Sequence, residues 1–118
     1  MIEMIIKLLA GHFIADVILQ DDRVNNNKNP NTKIPVGYDP EKHGPMQVVW
    51  PFFMLAHCAT HGAMVYLVTG RMGLAVGETV HHFMVDYFKC KNKFGIYTDQ
   101  MLHIGNKIVI ALIMYNYI

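Results

Sequence analysis

Apolar residues run from Ile2 to Leu19 with few interruptions, and again from Val48 to Val68. In the first stretch Ile5, Leu8, Leu9 and Phe13 recur without a proline before Gln20, which predicts a helix over about 2–20. The second stretch has no Asp, Glu, Lys or Arg and carries Pro51 where a first helical turn tolerates it, so a second helix is expected over about 48–69. Between the two lies a long polar loop over about 21–47. It holds Pro30, Pro35, Pro40 and Pro45, the asparagines at 25–27, 29 and 31, and two glycines. Gly70-Arg71 permits a tight turn into a third helix over about 72–90. The segment from Lys89 to Tyr97 reads as a basic turn, and Thr98 as an N-cap with Asp99 in the first turn of a fourth helix over about 98–117. The pattern predicts a single all-α domain, 1–118.

Length then bears on the solvent. A bilayer crossing needs about 20 predominantly apolar residues, and the second helix meets that length with no polar face to give to water. The other three helices carry ionisable groups within apolar sequence, which in a membrane would face the bundle interior. The expected fold is a four-helix membrane bundle with its long polar loop between helices 1 and 2. With four crossings, Arg23, Lys28, Lys33, Lys42, Lys89, Lys91 and Lys93 fall on one side and Arg71 on the other. The positive-inside rule then places the 21–47 loop and the 89–97 turn in the cytoplasm.

Composition agrees with that solvent. Charged residues make up 16% of the chain, against about 25% in ordinary soluble domains. A net charge of +1 gives no global electrostatic case for nucleic acid. Cys58 and Cys90 lack CxxC spacing and do not build a disulfide scaffold. The N-terminus carries Glu3, Lys7 and Asp16 and has no basic start, so it does not read as a removable signal peptide.

The chemistry lies in pairs. His12 and Asp16, His57 and His61, His82 and Asp86, and Asp99 and His103 are each four residues apart, one pair per expected helix. That spacing stacks two side chains on one helix face, the way bundles build metal sites. One such pair is weak evidence; four, falling near one layer in an antiparallel arrangement, are hard to reach by chance. Imidazole with carboxylate suits a divalent transition metal, zinc foremost, with manganese or iron as alternatives. His12, Asp16, His57, His61, Asp99 and His103 are the expected ligands. His82, Asp86 and Lys89 are the expected catalytic or proton-handling groups. Glu78, one turn before His82, is a candidate acceptor for the ring N–H of a ligating His82, or a general base. Gln20 continues the His12–Asp16 face and is a candidate substrate contact. His81 points about 100° away from His82, and His43 lies in the polar loop.

These residues, read in order, resemble a known family. His12-xx-Ala15-Asp16-Val17-Ile18-Leu19-Gln20, then His57-xxx-His61, then His82-Phe83-xx-Asp86-xx-Lys89, then Asp99-Gln100-xx-His103 are similar to the motifs of domain-of-unknown-function family 3307. That family comprises small membrane proteins of bacteria and their phages. The likeness spans most of the chain except the 21–47 loop, and departs from it where the family has Gly-Asp-Phe and this chain has Ala15-Asp16-Val17. It implies a membrane protein with a shared polar site and brings no activity with it. A looser likeness, in site chemistry alone, is to membrane-bound metal-dependent hydrolases.

Two functions follow. One is a metal-dependent hydrolase acting near the cytoplasmic leaflet on a lipid-linked or phosphate-bearing substrate. The other is non-catalytic: a proton or ion conduit, or a protein that modifies a host membrane complex through the 21–47 loop. A soluble carboxylate–histidine bundle fits less well, because such sites use Glu and ExxH pairs and Glu3, Glu41 and Glu78 form none. Oligomeric state is not encoded in these patterns.

Overall fold

A computed structural model describes residues 1–117. Among them are six α-helices: α1 (Ile2–Phe13), α2 (Asp22–Asn27), α3 (Pro40–His43), α4 (Trp50–Thr69), α5 (Met72–Cys90) and α6 (Ile96–Tyr117). A π-helical segment, Ile14–Ile18, continues α1.

The expected four-helix membrane bundle is corrected on two points. The chain forms six helices, because the polar 21–47 loop contains α2 and α3. Asp21 caps α2 by accepting from Val24 N at 2.8 Å, and Asp39 caps α3 by accepting from Glu41 N at 3.0 Å, with Pro40 in the first turn. Furthermore, among the described residues only α4 is long and apolar enough to cross a membrane. Helix α1 has 12 residues, about 18 Å at 1.5 Å per residue. Helices α5 and α6 are long enough, but Glu78, His81, His82, Asp86 and Lys89 in one, and Asp99, Gln100, His103, Asn106 and Lys107 in the other, dilute their hydropathy. The side assignment drawn from four crossings loses its premise with them. Helix α6 also begins at Ile96, so Thr98 lies inside its first turn and not at the cap.

Helix α4 packs most extensively on α5, and α1 lies against α4 and α6. Gly70, in the left-handed region at φ 66°, ends α4 and donates its N–H to Tyr66 O. No L side chain adopts that turn as cheaply. At Gly62 the two helices meet at close range. A Cβ there would lie 2.1 Å from Thr79 Oγ1 and 2.7 Å from the backbone oxygen of Ala75. Gly62→Ala is therefore expected to force α4 and α5 apart and to cost about 1–3 kcal/mol. A lowered melting temperature checks this, and an unchanged one would mean that the helices do not touch there.

The core is divided. A small apolar cluster of Leu8, Val65, Ile110 and Ala111 fills one end, with Met4, Ile5, Val68 and Leu74 packed against it. Toward the other end the interior is polar: His12, His57, His61, Glu78, His82, Asp86, Asp99, His103 and Lys107 are all buried. The exterior is apolar in turn, with Ile18 72%, Phe52 76% and Leu67 77% exposed. Only 39% of the apolar window of α4 is buried, less than a core helix of a soluble domain would show.

The 21–47 loop straps across the polar end. The Asn27 side chain pairs with both backbone groups of Val36, and Asn31 Nδ2 donates to Cys90 O at 2.7 Å. This contact sets the loop beside the α5–α6 turn at the same end of the molecule.

Candidate metal centre

The four pairs meet, because each helix presents one stripe of period four to the polar interior. On α4 the stripe is His57 and His61; on α5 it is Glu78, His82 and Asp86; on α6 it is Asp99, His103 and Lys107. The fourth comes from α1 and is modified by the π segment. Leu19 N donates to Ile14 O across five residues, at 3.0 Å. The widened turn re-aims Asp16, as π turns at functional sites often do. Its Oδ2 stays 3.5 Å from His12 Nε2, while Oδ1 reaches across to α4.

Asp16 Oδ1, His57 Nε2, His61 Nε2 and His82 Nε2 converge into one group. Asp16 Oδ1 lies 3.1 Å from His61 Nε2 and 3.4 Å from His57 Nε2, and the His57 and His82 Nε2 atoms are 3.2 Å apart. Ligands 2.0–2.1 Å from a tetrahedral zinc stand about 3.3 Å from one another. Asp16 Oδ1 to His82 Nε2, at 3.9 Å, is the widest of these separations. His82, Asp86 and His103 form a second group, with Asp86 Oδ1 3.6 Å from His82 Nε2 and 3.4 Å from His103 Nε2. The chain thus contains a buried His/Asp cluster capable of coordinating a divalent metal ion.

The residues around these atoms orient them. His82 Nδ1 faces Glu78 Oε1 at 3.5 Å, which favours the tautomer that leaves Nε2 free toward the cluster. Glu78 also pairs with buried Lys107 and accepts from Asn106 Nδ2 at 2.7 Å. Gln100 accepts at Oε1 from His12 (3.3 Å) and donates to Asp16 Oδ2 (3.2 Å) and Asp99 Oδ2 (3.1 Å), tying α1 to α6. Lys28 comes from the loop, is almost fully buried, and donates to both Asp86 and Gln20.

Electrostatics follow from this crowding. Burial pushes the His82 imidazole down to about 3, so it is neutral and able to ligate. Burial acts on His103 the same way, but the carboxylates of Asp86 and Asp99 outweigh it and raise His103 to about 9. Burial would raise Asp86, yet His103, His57, His82 and Lys28 hold it well below the usual carboxylate range.

Every residue expected in the site lies in or beside this cluster. Gln20 sits at its edge as the acceptor for Lys28, and half-exposed Lys89 donates to Asp99 Oδ2 at 2.9 Å. His81 stays at the side, its ring 5.9 Å from that of His103, and His43 accepts from Asp39 N within the loop. Sequence reasoning left Lys28, Gln100 and Lys107 without a role. Lys107 follows His103 by four residues and Gln100 precedes it by three, so helical spacing could have found both. No local pattern points to Lys28, which reaches the site only through the loop. No family model matches the chain, and neither does any curated protein or solved structure.

Proposed function

We propose that the protein is a metal-dependent hydrolase held at the bacterial inner membrane, and that the cluster is its active site. The observation that carries this reading is the set Asp16 Oδ1, His57 Nε2, His61 Nε2 and His82 Nε2, drawn together at separations that suit one four-coordinate ion. Zinc is the ion proposed, with manganese or iron as alternatives. A bound ion of this kind lowers the pKa of a water molecule toward neutrality and polarises a phosphoryl or carbonyl oxygen. In this reading His82 is a ligand and not the proton acceptor. Lys89, at the exposed edge beside Asp99, is the group placed to meet an anionic substrate.

A lipid-linked or phosphate-bearing substrate is proposed on two grounds. A largely apolar groove lined by Ala15, Leu19, Val24, Phe53, Ala56 and Thr60 includes His57 in its wall. The cations Lys28 and Lys89 stand on the polar side of the cluster. Bilayer contact is supported by the apolar surface of α4 and its length. The basic 21–47 and 89–97 segments share one end of the molecule, and with α4 as the single crossing the positive-inside rule favours the cytoplasm for it. Membership of the family whose motifs the chain resembles is part of this proposal and rests on those motifs.

The test is elemental analysis of the detergent-purified protein beside a His57→Ala, His61→Ala variant, followed by phosphoester and lipid-linked substrates. Stoichiometric metal in the wild type, lost in a variant that still folds, is the expected result. Wild-type protein that takes up no zinc, manganese or iron after reconstitution would overturn it. A proton or ion conduit would then be favoured, because Lys107, Glu78, His82 and His57 follow one another at 3.5 Å or less.

A further inference from the structure

The donor set is larger than one ion can use. Five imidazoles (His12, His57, His61, His82 and His103) and three carboxylates (Asp16, Asp86 and Asp99) form one network of close contacts. A single zinc takes four ligands in most sites.

The donors also sort into two halves. In the first half lie His57, His61 and His82. In the second half Asp99 Oδ1 faces His103 Nε2 at 3.3 Å, both atoms buried and neither making a hydrogen bond. A buried polar atom without a partner is costly and calls for a reason. In the metal-free protein the His103 proton faces these carboxylates, and a cation in its place would take Asp99 Oδ1 and His103 Nε2 as ligands.

One carboxylate, Asp86, has an oxygen in each half, and Asp16 lies at the first. Asp86 Oδ2 is 3.4 Å from His57 Nε2, while its Oδ1 is 3.4 Å from His103 Nε2. Asp16 Oδ1 faces His61 and His57, while its Oδ2 faces His12 at 3.5 Å. Lys28 bonds to Asp86 Oδ2, but a carboxylate oxygen has a second lone pair to give. The His82 ring is stacked between those of His61 and His103, at centroid distances of 3.6 and 4.0 Å, where the two halves join.

We propose that the cluster holds two divalent metal ions, bridged by the carboxylate of Asp86. The first ion takes Asp16, His57, His61 and His82. The second takes Asp86, Asp99 and His103, with His12 beside it. This rests on the reading of the cluster as a metal site and narrows its substrate class to phosphoesters. Paired ions about 3.5–4 Å apart stabilise both the attacking and the leaving oxygen of a phosphoryl displacement.

The experiment is a Mn(II) titration of metal-depleted, detergent-purified protein, with elemental analysis and electron paramagnetic resonance. Two manganese per chain and an exchange-coupled signal at saturation are expected. An Asp99→Asn, His103→Ala variant is expected to bind one manganese per chain, with an uncoupled signal. One manganese per chain in the wild type, or two without coupling, would overturn the two-ion centre and leave the single-ion reading standing. No bound manganese, zinc or iron would overturn both. If the variant does not fold, the wild-type stoichiometry and coupling decide alone.

Discussion

In the two-ion centre, where Asp86 is a ligand, Asp86→Asn is expected to weaken binding of the second zinc on the order of 100-fold and to destabilise the metal-free protein at the same time. Structural zinc sites contribute about 10–16 kcal/mol over four ligands, so one ligand carries roughly 3 kcal/mol, about two decades of affinity. Asp86 is more exposed to loss than most, because its carboxylate faces His57, His82 and His103 together. The stability effect has a different origin. Lys28 is 5% exposed and its ammonium is held by Asp86 and Gln20. Removing one partner of a buried ion pair leaves the other charge uncompensated, at a cost of about 3–5 kcal/mol. The two effects separate in a double variant. Adding Lys28→Met to Asp86→Asn is expected to recover most of the stability and none of the metal affinity. Calorimetric titration with zinc and unfolding in the presence of chelator measure the two quantities. Unchanged zinc affinity in Asp86→Asn would remove Asp86 from the ligand set.

Lys107→Met is expected to be the most destabilising substitution remote from the ligands. Lys107 and Glu78 are both almost fully buried and paired with each other. With Lys107 gone, Glu78 keeps only the Asn106 amide and His82 as partners, and about 3–5 kcal/mol is lost. Combining it with Glu78→Gln is expected to restore most of that loss, because replacing both members of a buried pair is often nearly neutral. The double variant should still bind zinc 10–100-fold more weakly, since the glutamate that orients His82 Nδ1 is changed. Chelator-treated unfolding and zinc titration of the three proteins check this. A single variant as stable as the wild type would mean that the pair contributes nothing to the fold.

Local spacing is what the sequence exposes, and it carried the site far. His12 and Asp16, His57 and His61, His82 and Asp86, and Asp99 and His103 each share a face because the helix repeats every 3.6 residues, whatever surrounds it. The same logic predicts helices over about 2–20, 48–69, 72–90 and 98–117 with a break at Gly70, where the structure has α1 with its π extension, α4, α5 and α6. It misread the number of crossings. Hydropathy in α1, α5 and α6 counts together with the uncharged run of α4, whereas among the described residues length and ionisable content leave α4 alone able to span. Two short capped helices inside the polar loop were missed because Asp21 and Asp39 cap only a few residues each.

What spacing could not decide is which atoms of neighbouring helices stand within 3–4 Å of each other. That depends on the approach of α4 to α5 at Gly62, on the π turn that lets Asp16 face two helices, and on the loop that delivers Lys28 from 58 residues away. The sequence by itself determined the helical faces and the His/Asp pairs, because both follow from the periodicity of one helix. The tertiary structure decided their convergence, the position of Asp86 between His57 and His103, and the second polar layer at Glu78 and Lys107. Crossing geometry is set by packing between side chains distant in the chain, and no local pattern records it.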